Sequence, residues 1–198
     1  MSKVEDFVKH YVFGHQATSK FMAGLKSEMN DSLEVDTTSM LESIKKEAKE
    51  IEVANTASIV DAPSHGHVEL CSSVIAAYNK LIPVIGTQEA TLEFMSKSMM
   101  TGVNNLSMRT SLSLVLDSCK NNSDRLKDIF SWLMDQYGVT FNWTAPHEET
   151  EEEDSFSIEI DRCFYCNFFS SQNAAFLTPI LCQLDSIWFE MMDPEKHG

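Results

Sequence analysis

Near the end of the chain lie three short sequences, Phe156-Ser-Ile-Glu-Ile-Asp-Arg162, Cys163-Phe-Tyr-Cys166 and Cys182-Gln-Leu-Asp185. The first alternates apolar and polar residues, which is typical of a half-buried β-strand. In the second and third, the two end residues are three positions apart, so each pair would lie on one face of a helix. This part of the chain therefore predicts a strand followed by two helices, and it contains three of the five cysteines.

The rest of the chain is mainly helical by its periodicity, because apolar residues recur every three or four positions. A second alternating segment, Val139–Trp143, predicts an antiparallel partner for the strand at Phe156–Ile160, with the acidic run 148–154 between them. We therefore predict an α+β fold: a mostly helical domain with a small antiparallel β-hairpin near the C-terminus, followed by two helices. The predicted helices cover residues 4–29, 39–51, 68–84, 87–103, 106–119, 123–137, 163–171 and 174–191.

The length of 198 residues is that of one domain with a sizeable core. Asp61-Ala-Pro-Ser-His-Gly-His67 combines Pro, Gly, Ser and Asp, which break regular structure, so this segment is predicted to be a linker that contains His65 and His67. The predicted organisation of the single domain is N-terminal helices at 1–60, the linker at 61–67, central helices at 68–137, and the strand pair with the C-terminal helices at 138–198.

Composition restricts the partners. A formal net charge of −15 opposes binding to nucleic acid or anionic lipid, which both require local positive charge. No apolar stretch reaches the ~18 to 20 residues that span a bilayer, and residues 1–10 lack the apolar core of an export signal. Five cysteines without disulfide-scaffold spacing favour reduced thiols. We expect a cytoplasmic protein with a small-molecule substrate and with neither nucleic acid nor membrane as partner.

The cysteines and aspartate allow three interpretations. The spacing C-x2-C, fifteen residues, C-x2-D approximates a four-ligand zinc site, although zinc-binding pairs usually sit on tight turns, whereas Phe164 and Tyr165 stand here. Alternatively, Cys163 and Cys182 are small buried hydrophobic residues. The third interpretation is a small-molecule site in which a thiolate attacks an electrophilic carbon and Asp185 orients the substrate or moves a proton.

Two histidines and the absence of common sequence signatures further restrict the candidate chemistry. His65 and His67 are candidates for the base that activates a thiol. The chain has no G-x-S-x-G, P-loop or G-x-G-x-x-G sequence, so common hydrolase, nucleotide and dinucleotide signatures are absent, and we predict no cofactor.

The strand that ends in Arg162-Cys163-Phe-Tyr-Cys166, followed by the helix with Cys182-Gln-Leu-Asp185, resembles the L-2-amino-thiazoline-4-carboxylic acid hydrolase-like proteins. In that family an R-C-x-Y/F segment precedes a C-x-x-D helix, behind a helical N-terminal region. The family usually continues into a further strand-rich segment, whereas thirteen residues follow Asp185 here, so the resemblance implies a divergent, C-terminally short member.

The resemblance implies hydrolytic opening of a cyclic C=N bond in an amino-thiazoline, which gives an N-carbamoyl cysteine. By motif position it points to Cys163, Cys182 and Asp185 as catalytic residues, and we expect Cys182 to be the nucleophile or a substrate contact and Asp185 to move a proton or orient the substrate. We expect them to share a pocket where the end of the sheet meets the last two helices. The substrate-binding candidates around these residues are Arg162, Tyr165, Cys166 and His67.

Two other classes of function stay open at this point. Eleven Met and twelve Phe residues suit a non-catalytic helical module that binds a small molecule or a protein through apolar groups, although plain core packing is the more frequent reason for methionines of this number. The other class is a subunit of a homo-oligomer or larger assembly, which would have a large exposed apolar patch.

Overall fold

The computed structural model describes residues 15–103, 137–144 and 159–191, and the single positions 109, 110, 113, 116, 117 and 131. The side chains of residues 15, 16, 185, 186, 188 and 189 are outside this description, as are most of the predicted helices at 106–119 and 123–137. The described elements are α1 (His15–Ser32), α2 (Thr37–Ala54), a 3-10 turn (Thr56–Ser58), α3 (Ala62–Ile85), α4 (Gln88–Val103), β1 (Asn142–Thr144), β2 (Glu159–Arg162), α5 (Phe164–Ser171), a 3-10 turn (Ala175–Leu177) and α6 (Thr178–Met191). The predicted α+β fold is confirmed.

Helix α3 is the centre of this fold. Every residue from 70 to 77 is buried, and a helix that is buried all round belongs to the interior of a protein. Helix α3 packs against α1, α2, α4 and α5. Helices that precede α3 in the sequence and helices that follow it therefore both pack around it.

The start of α3 corrects the prediction of a linker at 61–67. The Asp61 carboxylate accepts a hydrogen bond from the Ser64 N–H at 2.7 Å, and the Ser64 hydroxyl accepts one from the Asp61 N–H at 2.9 Å. This reciprocal pair is a capping box. Pro63 lies in the first turn, where a helix does not need its missing N–H. As a result, His65 and His67 are helical residues and not loop residues.

Helix α3 contradicts the expectation that no stretch of the chain is long and apolar enough to cross a membrane. Its 24 residues contain a window with a mean hydropathy of 1.4, which meets both criteria. The core helix of a globular protein meets them too, and 56% of this window is buried inside the protein. Packing against four other helices accounts for its apolar sequence.

The described part of the hairpin covers residues 142–144 and 159–162, whereas positions 156–158 of the second predicted strand lie outside the described residues. Strand β1 pairs antiparallel with β2, with Trp143 opposite Ile160 and Thr144 opposite Glu159. Residues 139 and 140, which were predicted to begin the first strand, form a turn instead. All four residues of β2 are exposed, so the hairpin adds little to the core. Its position directly before Cys163 and α5 is what matters for the site.

Helices α1 and α4 approach each other closely through two glycines. A Cβ atom on Gly24 would collide with the Ser98 carbonyl oxygen and lie 2.8 Å from the Gly102 nitrogen. A Cβ atom on Gly102 would collide with the Lys20 carbonyl oxygen. The two backbones are therefore in direct contact, and only glycine fits at these positions.

A buried carboxylate fixes the same pair of helices. Glu28 of α1 is only 5% exposed and forms an ion pair with Lys97 of α4 at 2.6 Å. The Thr101 hydroxyl donates a hydrogen bond to the other oxygen of this carboxylate at 2.7 Å. These hydrogen bonds, led by that from Lys97, hold the pKa of Glu28 below its usual value in spite of its burial.

We expect Gly24→Ala to lower the free energy of unfolding by about 1–3 kcal/mol, because the added methyl forces the two backbones apart. The loss should occur although alanine has a helix propensity about 1 kcal/mol better than that of glycine. Urea denaturation of Gly24→Ala and of Ser27→Ala, an exposed position on the same helix, measures the difference. A Gly24→Ala protein as stable as Ser27→Ala would contradict the close approach.

Candidate functional site

The Asp61 carboxylate joins the start of α3 to the segment before β1. One of its oxygens caps α3, and the other accepts a hydrogen bond from the Val139 N–H at 2.8 Å. Gly138 packs against this carboxylate with φ at 78°, in the region that favours glycine. Burial opposes ionisation of Asp61, but the hydrogen bonds from Ser64 and Val139 outweigh it, so its pKa lies below the usual value.

His67, in the second turn of α3, is 3% exposed and uses both ring nitrogens. Nε2 lies 3.0 Å from the Tyr137 carbonyl oxygen, and Nδ1 lies 3.1 Å from the Tyr165 hydroxyl. Because a carbonyl oxygen can only accept, Nε2 carries the proton. In the neutral ring Nδ1 is then the acceptor, so the Tyr165 hydroxyl donates to it.

Aromatic rings enclose this imidazole, with ring centroids 5.3–5.8 Å away. Burial lowers the pKa of His67, and this effect outweighs the opposing effects of the Tyr137 carbonyl and the Asp61 charge. The ring is therefore neutral at pH 7 and serves as a fixed hydrogen-bond acceptor for Tyr165. The surrounding rings belong to Tyr137, Phe141, Phe164 and Tyr165.

Two neighbouring cysteines adjoin this arrangement: Cys71 lies on the same helix as His67, and Cys163 precedes Phe164, whose ring packs on the imidazole. Cys71, one turn after His67 on α3, is fully buried. Burial, and secondarily the neighbouring Cys163, raise the pKa of the Cys71 thiol well above its usual value, so this thiol stays protonated. Cys163 is half-buried and occupies the position directly before the first turn of α5. At that position the positive end of the helix dipole stabilises negative charge.

The structure thus brings the predicted site residues Tyr165 and His67 into contact, and it places Cys163, a neighbour of Cys71, two residues before Tyr165. Arg162 is exposed at the end of β2, next to Cys163. No ion-pair partner for its guanidinium is found among the residues that the structure describes. A free guanidinium beside a thiol is suited to a carboxylate on a substrate.

The remaining predicted residues lie on two neighbouring helices. Cys166 is exposed on α5, and Cys182 is exposed on α6, which packs against α5. Asp185 belongs to α6 one turn after Cys182, so both residues are on one face of this helix. The side chain of Asp185 is outside the described residues.

The zinc interpretation receives no support from the geometry. Among the side chains that the structure describes, no three His, Cys, Asp or Glu groups are close enough to hold a metal ion. Cys163, Cys166 and Cys182 all belong to this set, so these three do not form a metal-binding group.

Sequence reasoning missed Asp61, Cys71, Tyr137 and Phe141. A local signal existed for Asp61 alone, since an aspartate three residues before a serine, with a proline between them, is typical of a helix start. Nothing in the sequence near residue 137 or 141 indicates contact with His67, because these contacts join distant parts of the chain.

Together, the fold and the site define a mostly helical α+β protein in which a cysteine directly before a helix is followed, two residues later, by a tyrosine that is hydrogen-bonded to a buried histidine. The model of one protein family, L-2-amino-thiazoline-4-carboxylic acid hydrolase, matches residues 67–197, about two-thirds of the chain. The chain belongs to this family. No curated protein and no solved structure matches the chain.

We expect the neutral, buried His67 to make the protein sensitive to acid. Its folded pKa lies below the ordinary 6.5, so the unfolded state binds the proton more readily, and stability is lost as the pH falls through 6.5. In His67→Gln this loss should be absent between pH 7 and pH 5, whatever the stability of the variant at pH 7.

Urea denaturation at several pH values measures this dependence. The matched variant is His65→Gln, which changes a histidine with a 43% exposed side chain two residues earlier. It should keep the acid sensitivity of the wild type. Equal pH slopes for His67→Gln and the wild type would contradict a buried neutral imidazole.

Proposed function

We propose that the protein is a hydrolase that opens a small cyclic C=N substrate of the amino-thiazoline-carboxylate type. Membership of the family supports the reaction class. The assignment of residues rests on one observation. Tyr165, two residues after Cys163, is hydrogen-bonded to the buried, neutral His67. A thiol and a pair of proton-transfer groups are the two components that such a reaction needs.

In this proposal Cys163 is the nucleophile. Its thiolate forms a bond to C2 of the ring, the bond between C2 and the ring sulfur breaks, and that sulfur leaves and takes up a proton. The carbon stays attached to Cys163 as an isothiourea. The oxygen of a water molecule then bonds to this carbon and the bond to Cys163 breaks, which leaves a ureido group. The net reaction consumes one substrate and one water and gives N-carbamoyl cysteine.

Tyr165 and His67 handle the proton of the attacking water. The Tyr165 hydroxyl can pass its own proton to Nδ1 of His67 while it accepts one from water. The imidazolium formed would donate from both nitrogens, to Tyr165 and to the Tyr137 carbonyl. The nearby Asp61 charge favours this cation.

Helix α6 provides the second group of residues. Cys182 and Asp185 lie on one face of α6, and α6 packs against α5, the helix that begins after Cys163. In the proposal Cys182 contacts the substrate, and Asp185 orients the amidine nitrogens by accepting their hydrogen bonds. Arg162 binds the substrate carboxylate.

Incubation with 2-amino-thiazoline-4-carboxylate, followed by mass spectrometry of the product, tests the reaction. We expect the wild type to release N-carbamoyl cysteine and Cys163→Ser to release none. Tyr165→Phe should be at least about 100-fold slower, because it removes a general acid–base group. Ser170→Ala, an exposed position on α5, is the matched control and should keep full activity.

Two results would contradict the proposal. One is the absence of turnover by the wild type. The other is unchanged turnover in Cys163→Ser, or in both Cys182→Ser and Asp185→Asn. A covalent adduct on the intact wild-type protein, absent from Cys163→Ser, would identify the nucleophile directly.

We expect Arg162→Gln to raise KM about tenfold or more, because a charge-assisted hydrogen bond contributes about 1.5–3 kcal/mol. The value of kcat should change much less, since the carboxylate is remote from the reacting carbon. The matched measurement uses 2-amino-thiazoline, which lacks the carboxylate. On this compound Arg162→Gln and the wild type should have the same kcat/KM, and a difference would exclude the assigned contact.

A further inference from the structure

The turn before β1 meets helix α3 at two points. The Val139 N–H donates a hydrogen bond to the Asp61 carboxylate at 2.8 Å, and the Tyr137 carbonyl accepts one from Nε2 of His67 at 3.0 Å. Asp61 stands directly before α3 and His67 six residues later, so a rise of 1.5 Å per residue puts the two contacts about 9 Å apart along the helix. Gly138 alone separates the carbonyl from the N–H, so a shift at one contact also moves the other.

Gly138 lets this turn approach the start of α3. Its φ of 78° lies in the left-handed region that favours glycine. A Cβ atom at this position would collide with an oxygen of the Asp61 carboxylate and would lie 3.0 Å from Cβ of Pro63. The turn and the start of α3 therefore fit each other at the residue that connects the two contacts.

The Tyr137 carbonyl decides which neutral form of His67 is present. With the carbonyl at Nε2, this nitrogen carries the proton, and Nδ1 accepts from the Tyr165 hydroxyl. If the carbonyl moved away, the form with its proton on Nδ1 would become available and would donate to Tyr165 instead. In that form the ring could not take the proton of Tyr165.

From these contacts we infer that Asp61 is a positioning residue: through the turn before β1, it keeps the ring of His67 in the form that accepts the proton of Tyr165. The inference rests on the proposed function only for its effect on turnover. Both oxygens of the Asp61 carboxylate are occupied, one by the Ser64 N–H and the other by the Val139 N–H, so this carboxylate acts without contacting a substrate. Asp61 also lies outside the family-matched segment, which begins at His67.

The variant Asp61→Asn separates this role from helix capping. The side-chain oxygen of asparagine still accepts from the Ser64 N–H, so α3 keeps its cap. The NH2 group that replaces the second oxygen cannot accept from the Val139 N–H, so the link to Tyr137 is lost. Asp36→Asn is the matched control, because the exposed Asp36 caps α2 by bonds to the first turn of that helix.

Nitrogen-15 NMR of protein labelled at histidine measures the form of the ring, because protonated and unprotonated imidazole nitrogens have different chemical shifts. The variant His67→Gln identifies the signals. We expect the wild type and Asp36→Asn to carry the proton on Nε2, and Asp61→Asn to contain a mixture of both forms. Wild-type ring signals in a folded Asp61→Asn protein would overturn the inference. Gly138→Ala displaces the carboxylate without changing it, should give the same mixture, and decides the question if circular dichroism finds Asp61→Asn unfolded.

Turnover of 2-amino-thiazoline-4-carboxylate is the second measurement. We expect Asp61→Asn to lower kcat at least about tenfold, because a misplacement of about 1 Å can cost about 100-fold in rate. KM should stay unchanged in this variant, and Asp36→Asn should keep both constants. A mixed ring form together with wild-type kcat in Asp61→Asn would overturn the positioning role. Absence of turnover by the wild type would overturn the proposed function alone, because the ring signals report the Asp61 link without any reaction.

Discussion

A single carboxylate, that of Asp61, holds together two parts of the chain that are 78 residues apart in sequence. It caps α3 with one oxygen and binds the Val139 N–H with the other. Because Tyr137 lies two residues before Val139, this link also places the Tyr137 carbonyl at the His67 ring. That carbonyl fixes the tautomer of His67, and the tautomer in turn makes Tyr165 a donor. The arrangement of the site thus depends on one charged group that never has to contact a substrate.

The residues that perform the proposed chemistry lie inside the family boundary, whereas part of the structure that supports them precedes it. His67, Cys163 and Tyr165 lie within the matched segment 67–197, whereas Asp61 and helices α1 and α2 precede it. The core joins both parts, because α3 begins before the boundary and packs against helices from each side. The N-terminal helices therefore contribute to the stability of the matched segment.

The sequence predicted best what local interactions determine. Helix α4 begins at the predicted place, directly after Thr87, whose hydroxyl accepts a hydrogen bond from the Ala90 N–H. Pro179 likewise lies in the first turn of α6. Capping and periodicity need only neighbouring residues. The contacts of His67 with Tyr137 and Tyr165 span 70 and 98 residues, and no local pattern encodes them. The prediction of a linker at 61–67 was wrong because Pro and Gly were read as helix breakers, although proline in a first turn favours a helix.

The glycine contact between α1 and α4 has a consequence for other sequences of the family. Gly102 lies inside the matched segment, but its partner Gly24 lies before it. A relative with a larger residue at the position of Gly102 has no room for a helix that crosses α4 as α1 does here. Conversely, a glycine at that position allows such a crossing. The residue at the position of Gly102 thus indicates which relatives have room for a helix placed like α1. This holds even where the sequence before the shared segment has diverged beyond alignment.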